Sequence, residues 1–133
     1  MKPTIISERK DRRVVYIFVA ISIVAMTAAQ LLLKKGLLAV GQAPQDWSEL
    51  LRFFVKSYTN IYVIAAVILT IVTALAWMQA ASKVEISYIY PFMAVSYILV
   101  ALFSIWMFHE NVTLLRWVGI GVVCLGVFLV SRS

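Results

Sequence analysis

The sequence predicts an all-α membrane protein: four transmembrane helices, with an interfacial amphipathic helix between the first and second. Three observations predict it. Of the 133 residues, 63% are apolar and only 14% charged, against about 45–50% apolar and 25% charged in an ordinary soluble domain. The apolar residues gather into four runs of about 20 residues, the length a helix needs to cross a bilayer. The basic residues behind the net charge of +6 (12 Lys and Arg against 6 Asp and Glu) flank those runs. That is the pattern of membrane anchoring, not of a nucleic-acid surface. The chain reads as one transmembrane domain over residues 1–133, with no room for a large catalytic domain beside the spans.

The first run, Val14 to Leu33, follows Lys2, Arg9, Lys10, Arg12 and Arg13. Such a start can be a signal peptide, but a signal core is about 7–15 residues long and three more runs follow, so a span is expected. Between spans one and two, residues 44–58 place Trp47, Leu50, Leu51, Phe54 and Val55 at helical spacing, with Asp46, Glu49, Arg52 and Lys56 mostly opposite. This predicts a helix lying in the interface, serving as a seal of the bundle rim or as a lateral gate for a lipid. The second span is read at 60–81, the third at 86–108 and the fourth at 112–131, the last with one charge, Arg116. The short connections make neighbouring spans antiparallel. With both termini cytoplasmic, seven Lys and Arg lie inside (the first five, Lys83 and Arg132) and five outside (Lys34, Lys35, Arg52, Lys56 and Arg116). The positive-inside rule then favours cytoplasmic termini by a small margin.

Polar groups within hydrocarbon need a reason. Gln30 lies one turn before Lys34 on the same face. It either bonds a neighbouring helix, for about 0.6–2 kcal/mol, or lines a polar cavity with Lys34. Lys34 and Lys35 either snorkel to lipid phosphates or hold an anionic headgroup. In span three, Pro91 breaks the helix. Ser87, Tyr90, Ala94 and Tyr97 fall along one face with Ser96 beside it, a hydroxyl-rich stripe that suits a sugar or packs against neighbouring helices. Lys83 and Glu85 bracket the turn into span three, as an interfacial pair or a gating element. Glu110 precedes span four, where a carboxylate favours a helix N-terminus. Gly119 and Gly126 share a face of span four and allow close helix approach, within a subunit or between subunits. The single cysteine, Cys124, and the single histidine, His109, support neither a disulfide nor a metal centre. No nucleophile–base pair, phosphate loop or cofactor motif appears. No enzyme activity, cofactor or nucleic-acid partner is expected.

These residues carry a resemblance. Gln30-Leu-Leu-Leu-Lys34, Trp77, Tyr90-Pro91, His109-Glu110, Arg116-Trp117-x-Gly119 and Gly126 resemble the four-span, EamA-like branch of the drug/metabolite transporter superfamily, which includes the small multidrug resistance proteins. Within it the chain is most similar to the E and F subunits of the flippase for 4-amino-4-deoxy-L-arabinose-phosphoundecaprenol. The resemblance spans the four-helix plan and is most specific over residues 77–126. It implies a bacterial inner-membrane transporter for a polyprenyl-phosphate-linked sugar, acting as a homodimer or as a heterodimer with a related four-span subunit among membrane lipids. For such a substrate the expected phosphate contacts are Lys34 and Lys35, and the expected groove is lined by Gln30, Tyr90, Ser96 and Tyr97 and shaped by Pro91. Lys83, Glu85 and Glu110 are candidate gating or coupling groups, and Gly119 and Gly126 dimer or packing contacts. One departure bears on mechanism. The acidic residue that exchanges protons in small multidrug resistance proteins corresponds to Met26, and Val14 to Leu33 holds no carboxylate. Two other classes stay open: an exporter of small cationic solutes, and a non-transporting accessory subunit of a membrane glycosyltransferase.

Overall fold

The computed structural model of the chain describes residues 9–132, and the side chains of 12–130 and 132. Six α-helices and one 3-10 segment follow in order: α1 Arg9–Val40, α2 Trp47–Tyr58, α3 Ile61–Ala81, α4 Ile86–Ile89, the 3-10 segment Tyr90–Ala94, α5 Val95–Phe108 and α6 Leu114–Arg132. Three stretches are long and apolar enough to cross a membrane: Arg12–Val40, Ile61–Ala81 and Ile86–Phe108. The apolar part of α6, Leu114–Val130, is shorter, about 26 Å at 1.5 Å per residue.

α1 runs seven residues beyond Leu33, where the apolar run ends. Lysine is a good helix former, so Lys34 and Lys35 change the polarity of the helix without stopping it. The stop comes at Gly41, whose φ of 109° only glycine adopts freely and whose N–H donates to the Leu37 carbonyl at 2.9 Å. Ser22 and Thr27 are buried, and their hydroxyls donate to the Phe18 and Ile23 carbonyls one turn back. Their polarity is thus satisfied inside the helix, as hydrocarbon requires.

α2 carries three stripes. Leu50, Phe53 and Ser57 turn inward. On one side of them Trp47, Leu51, Phe54, Val55 and Tyr58 stand exposed, Trp47 at 86%. On the other side Glu49, Arg52 and Lys56 are exposed. α3 opens on Asn60, whose Oδ1 accepts from the Tyr62 N–H at 2.9 Å, a cap worth about 1 kcal/mol.

α1 and α3 form the main helix pair. The residues these two helices bury are mostly small, Ala25 and Ala29 on α1 and Ala66, Ala76 and Ala80 on α3, together with Val15, Val19 and Val63. Gly36 takes the closest approach. A Cβ there would stand 2.6 Å from Val63 Cγ2 and 3.1 Å from the Val63 backbone nitrogen. A core of Val15, Val19, Ile23, Ala80 and Ile89 closes the other end, with Phe18, Trp77, Phe92 and Met93 against it.

The break expected at Pro91 is five residues long. α4 ends at Ile89, Pro91 enters the first turn of the 3-10 segment, and α5 resumes at Val95. α5 stops at His109, which adopts a left-handed φ of 51°. α6 leans mainly on the 3-10 segment and scarcely touches α5. Gly119 and Gly126 both face open space, so the close approach within the subunit is made at Gly36 instead.

Candidate functional site

Two polar clusters occupy opposite ends of the bundle. At the end where α1 and α5 finish, Lys34 forms an ion pair with Glu110, and its ammonium lies 5.0 Å from the centre of the Phe108 ring. Both charged side chains are a little over one-third exposed, so the pair contributes about 0.2–1 kcal/mol. Lys35, one residue on, turns the other way and stands 4.6 Å from the centre of the Tyr62 ring at the start of α3. Adjacent helical residues point about 100° apart, which sends the two lysines to different neighbours. Gln30 is exposed. It shares with Lys34 an open furrow along α1 whose walls include Leu33, Leu37 and Leu38.

At the other end Tyr16 and Tyr88 hydrogen-bond through their hydroxyls at 2.7 Å. Phe92 meets both rings edge-on, with centroids 6.0 Å from Tyr16 and 6.1 Å from Tyr88. Tyr90 is exposed and packs edge-on against Trp77 at 5.9 Å. Such aromatic pairs are worth about 0.5–1.5 kcal/mol each. Lys83 and Glu85 are exposed in the same region. Among the described residues they make no ion pair with each other.

The structure therefore brings Gln30, Lys34 and Glu110 together, with Lys35 beside them, and keeps Tyr90 and Pro91 apart from that group. Tyr16 and Lys34 are 18 residues apart on one continuous helix, which sets the two clusters about 27 Å apart along the bundle. Ser96 and Tyr97 fall between them. Ser96 is buried and donates to the Met93 carbonyl at 2.6 Å, whereas Tyr97 is exposed. The hydroxyl stripe thus divides: Tyr97 is exposed, and Ser96 spends its proton on a backbone carbonyl one turn back.

Tyr16, Tyr88 and Gly36 are the residues that sequence reasoning passed over. Gly36 was findable, because a glycine in a helix next to a charged pair has no propensity reason to be there. The Tyr16–Tyr88 bond was not, since it needs the register between helices 72 residues apart.

The chain matches the EamA-like transporter family over residues 12–132. It is 33% identical over 98 residues to a Hamiltonella defensa protein named "Probable 4-amino-4-deoxy-L-arabinose-phosphoundecaprenol flippase subunit ArnE", covering 74% of this chain and 85% of that one. Two proteins named as the corresponding probable subunit ArnF are also similar. The one from Photorhabdus laumondii is 29% identical over 121 residues, covering 88% of this chain and 96% of its own. The one from Erwinia tasmaniensis is 31% identical over 115 residues, covering 82% and 87%. No solved structure matches the chain. A family match spanning nearly all of the helical body agrees with the resemblance carried by Gln30 to Lys34 and by residues 77–126, and the chain belongs to the EamA-like transporter family as a multi-pass membrane transporter.

Proposed function

We propose that the protein is one subunit of a flippase that moves a polyprenyl-phosphate-linked sugar from the inner to the outer leaflet of a bacterial inner membrane. α6 serves as the fourth span and both termini are cytoplasmic. The observation that carries the reading is the cluster at the end of α1. Gln30 and Lys34 border an apolar furrow, Lys35 stands on the adjoining face beside Tyr62, and the first span has no carboxylate to attract a cation. An anionic headgroup with a hydrocarbon tail matches that chemistry: phosphate to Lys34 or Lys35, prenyl chain along Leu33 and Leu37 in contact with lipid. The names of the ArnE and ArnF relatives supply the class of sugar carrier.

In this reading Tyr90, Ser96 and Tyr97 line the path of the sugar, and Pro91 shapes it. Lys83 and Glu85 act at the entrance. The 27 Å between the two polar clusters then corresponds to the thickness the headgroup must cross, close to the ~30 Å of bilayer hydrocarbon. The stripes of α2 support an interfacial placement: the exposed charged side meets water and the exposed apolar side meets lipid. The loose seating of α6 leaves room for a second copy or a related four-span subunit, with Gly119 and Gly126 at the contact. Consumption of the lipid on the far side would suffice to drive net flow.

The test uses proteoliposomes containing a labelled lipid-linked sugar. Flipping is expected with the full complex and is expected to fall when Lys34 and Lys35 are both replaced by alanine. Unchanged flipping in that variant would remove the phosphate role. Proton release on adding quaternary amines would favour a cation exporter instead. A glycosyltransferase that co-purifies while the complex flips nothing would favour an accessory subunit.

A further inference from the structure

The Lys34–Glu110 pair points to a specific way in which the phosphate site is emptied. This inference rests on the reading of Lys34 as a phosphate contact. We infer that Glu110 is the resident counter-anion of Lys34 and exchanges with the phosphate of a lipid headgroup. Glu110 is thereby a specificity-determining and release residue at that end of the bundle.

Four features carry the inference. First, Lys34 is not at a helix end. α1 continues through Leu37, Leu38 and Val40, so the ammonium stands among apolar side chains and the Phe108 ring. A cation beside that much apolar surface is favoured by a nearby anion, although its partial exposure keeps the gain small. Glu110 is that anion. Second, Glu110 belongs to no helix. It lies in the segment between α5 and α6, just after His109 has turned the chain through a left-handed residue. Its carboxylate can leave Lys34 without breaking a helical hydrogen bond. Third, both side chains of the pair are over one-third exposed, so the carboxylate has open space into which to swing. Fourth, the furrow shared by Gln30 and Lys34 opens next to the pair. A headgroup that follows it reaches Lys34 from the side away from Tyr62, and Lys35 is already engaged there.

The exchange conserves charge. One ion pair, Lys34 with Glu110, is replaced by another, Lys34 with phosphate, and the Glu110 carboxylate moves into water. No proton or electron is transferred. Because the site must first be vacated, the apparent affinity for phosphate is the intrinsic affinity multiplied by the fraction of time Glu110 is away. A transporter benefits at the release end, where tight binding would slow departure. The selectivity also follows. A neutral or cationic headgroup cannot displace Glu110, while a phosphate can.

The experiment measures binding of undecaprenyl phosphate, phosphatidylglycerol and inorganic phosphate to the full chain in nanodiscs of a zwitterionic lipid. Wild type is compared with Glu110→Gln, Lys34→Gln and the reversed pair Lys34→Glu with Glu110→Lys. Glu110→Gln is expected to bind undecaprenyl phosphate about two- to fivefold more tightly than wild type, the span set by an ion pair of this exposure. Lys34→Gln is expected to bind it more weakly. The reversed pair is expected to recover the thermal stability of wild type but not its lipid affinity. Tightening shared by phosphatidylglycerol assigns the site to phosphate-bearing lipids at large, and tightening with undecaprenyl phosphate alone assigns it to polyprenyl carriers. Either supports the exchange. Equal or weaker binding by Glu110→Gln, or recovery of both stability and affinity by the reversed pair, would overturn it and leave a purely structural pair. Tightening for inorganic phosphate and neither lipid would overturn the lipid assignment. These outcomes are independent of flipping. A wild-type protein that flips no lipid-linked sugar but shows the Glu110→Gln gain keeps the exchange and loses the flippase reading. One that flips without the gain does the reverse.

Discussion

At Gly36 the first turn of α3 occupies the space that any side chain on α1 would need. The neighbours of a Cβ there are the Val63 side chain, the Val63 backbone nitrogen and the Asn60 side-chain oxygen at 3.2 Å. A methyl side chain can be evaded by a shift of Val63 Cγ2, but the backbone nitrogen belongs to a capped helix end and cannot yield alone. Gly36→Ala is therefore expected to lower stability by about 1–3 kcal/mol, the usual range for overpacking, and Gly36→Leu by more. Thermal unfolding in detergent checks this. An unchanged midpoint for Gly36→Leu would mean that α1 and α3 are not in close contact at this end. The same displacement would pull Tyr62 from under Lys35. Asn60→Ala, which removes only the cap, is expected to cost about 1 kcal/mol and leave the Gly36 contact in place.

Among the elements, α2 and the 3-10 segment have the clearest consequences. The stripe of Trp47, Leu51, Phe54, Val55 and Tyr58 is exposed, with only Phe54 meeting a ring, that of Phe53 on the same helix, and its charged counterpart lies on the other flank. If α2 rests on the bilayer, Trp47 should be quenched by lipids brominated near the headgroup, in a background where Trp77, Trp106 and Trp117 are phenylalanine. Leu51→Asp should weaken that quenching, and a Trp47 emission typical of water in the parent would count against the interfacial placement. Pro91 enters the first turn of the 3-10 segment, where its missing N–H costs little. Pro91→Ala is therefore expected to gain well under the ~3 kcal/mol that removing a proline from mid-helix returns. Its larger effect is on shape. If α4 and α5 merge into one straight helix, α6 loses the surface it leans on. Slower flipping with a nearly unchanged melting midpoint is the expected pair of readouts.

For the whole molecule, the packing is uneven. α1 and α3 bury most of the small residues, while α6 is exposed along much of its length. Gly119 and Gly126 have no neighbour within 4 Å of where a Cβ would stand. Replacing both by leucine should therefore leave the stability of the isolated subunit within about 0.5 kcal/mol, as for open surface sites. If α6 is where subunits meet, the same double variant should reduce the dimer fraction measured in detergent or in nanodiscs. A dimer that survives unchanged would move the contact elsewhere.

Much of this molecule is written locally. Helix locations follow from apolar runs of span length, the break at Pro91 from a missing N–H and a ring that clashes with the preceding turn, and the amphipathic character of α2 from the helical spacing of Trp47, Leu51 and Phe54 against Glu49, Arg52 and Lys56. The membrane setting and the family follow from composition and from motifs that each lie within a few residues. The end of α1 was legible only in part, because Lys34 ends the apolar run without ending the helix, and the stop belongs to Gly41. The pairings that give the site its chemistry were not local at all. Lys34 meets Glu110 across 76 positions and Tyr16 meets Tyr88 across 72, and Lys34 and Lys35 part company although they are adjacent. By itself the sequence determined a basic, multi-pass helical transporter with polar groups near the span ends. Only the tertiary structure decided which of those groups are partners, because helix periodicity sets the direction of a side chain around its own axis, whereas the register and rotation of one helix against another are set by the packing of Gly36 and its alanine neighbours.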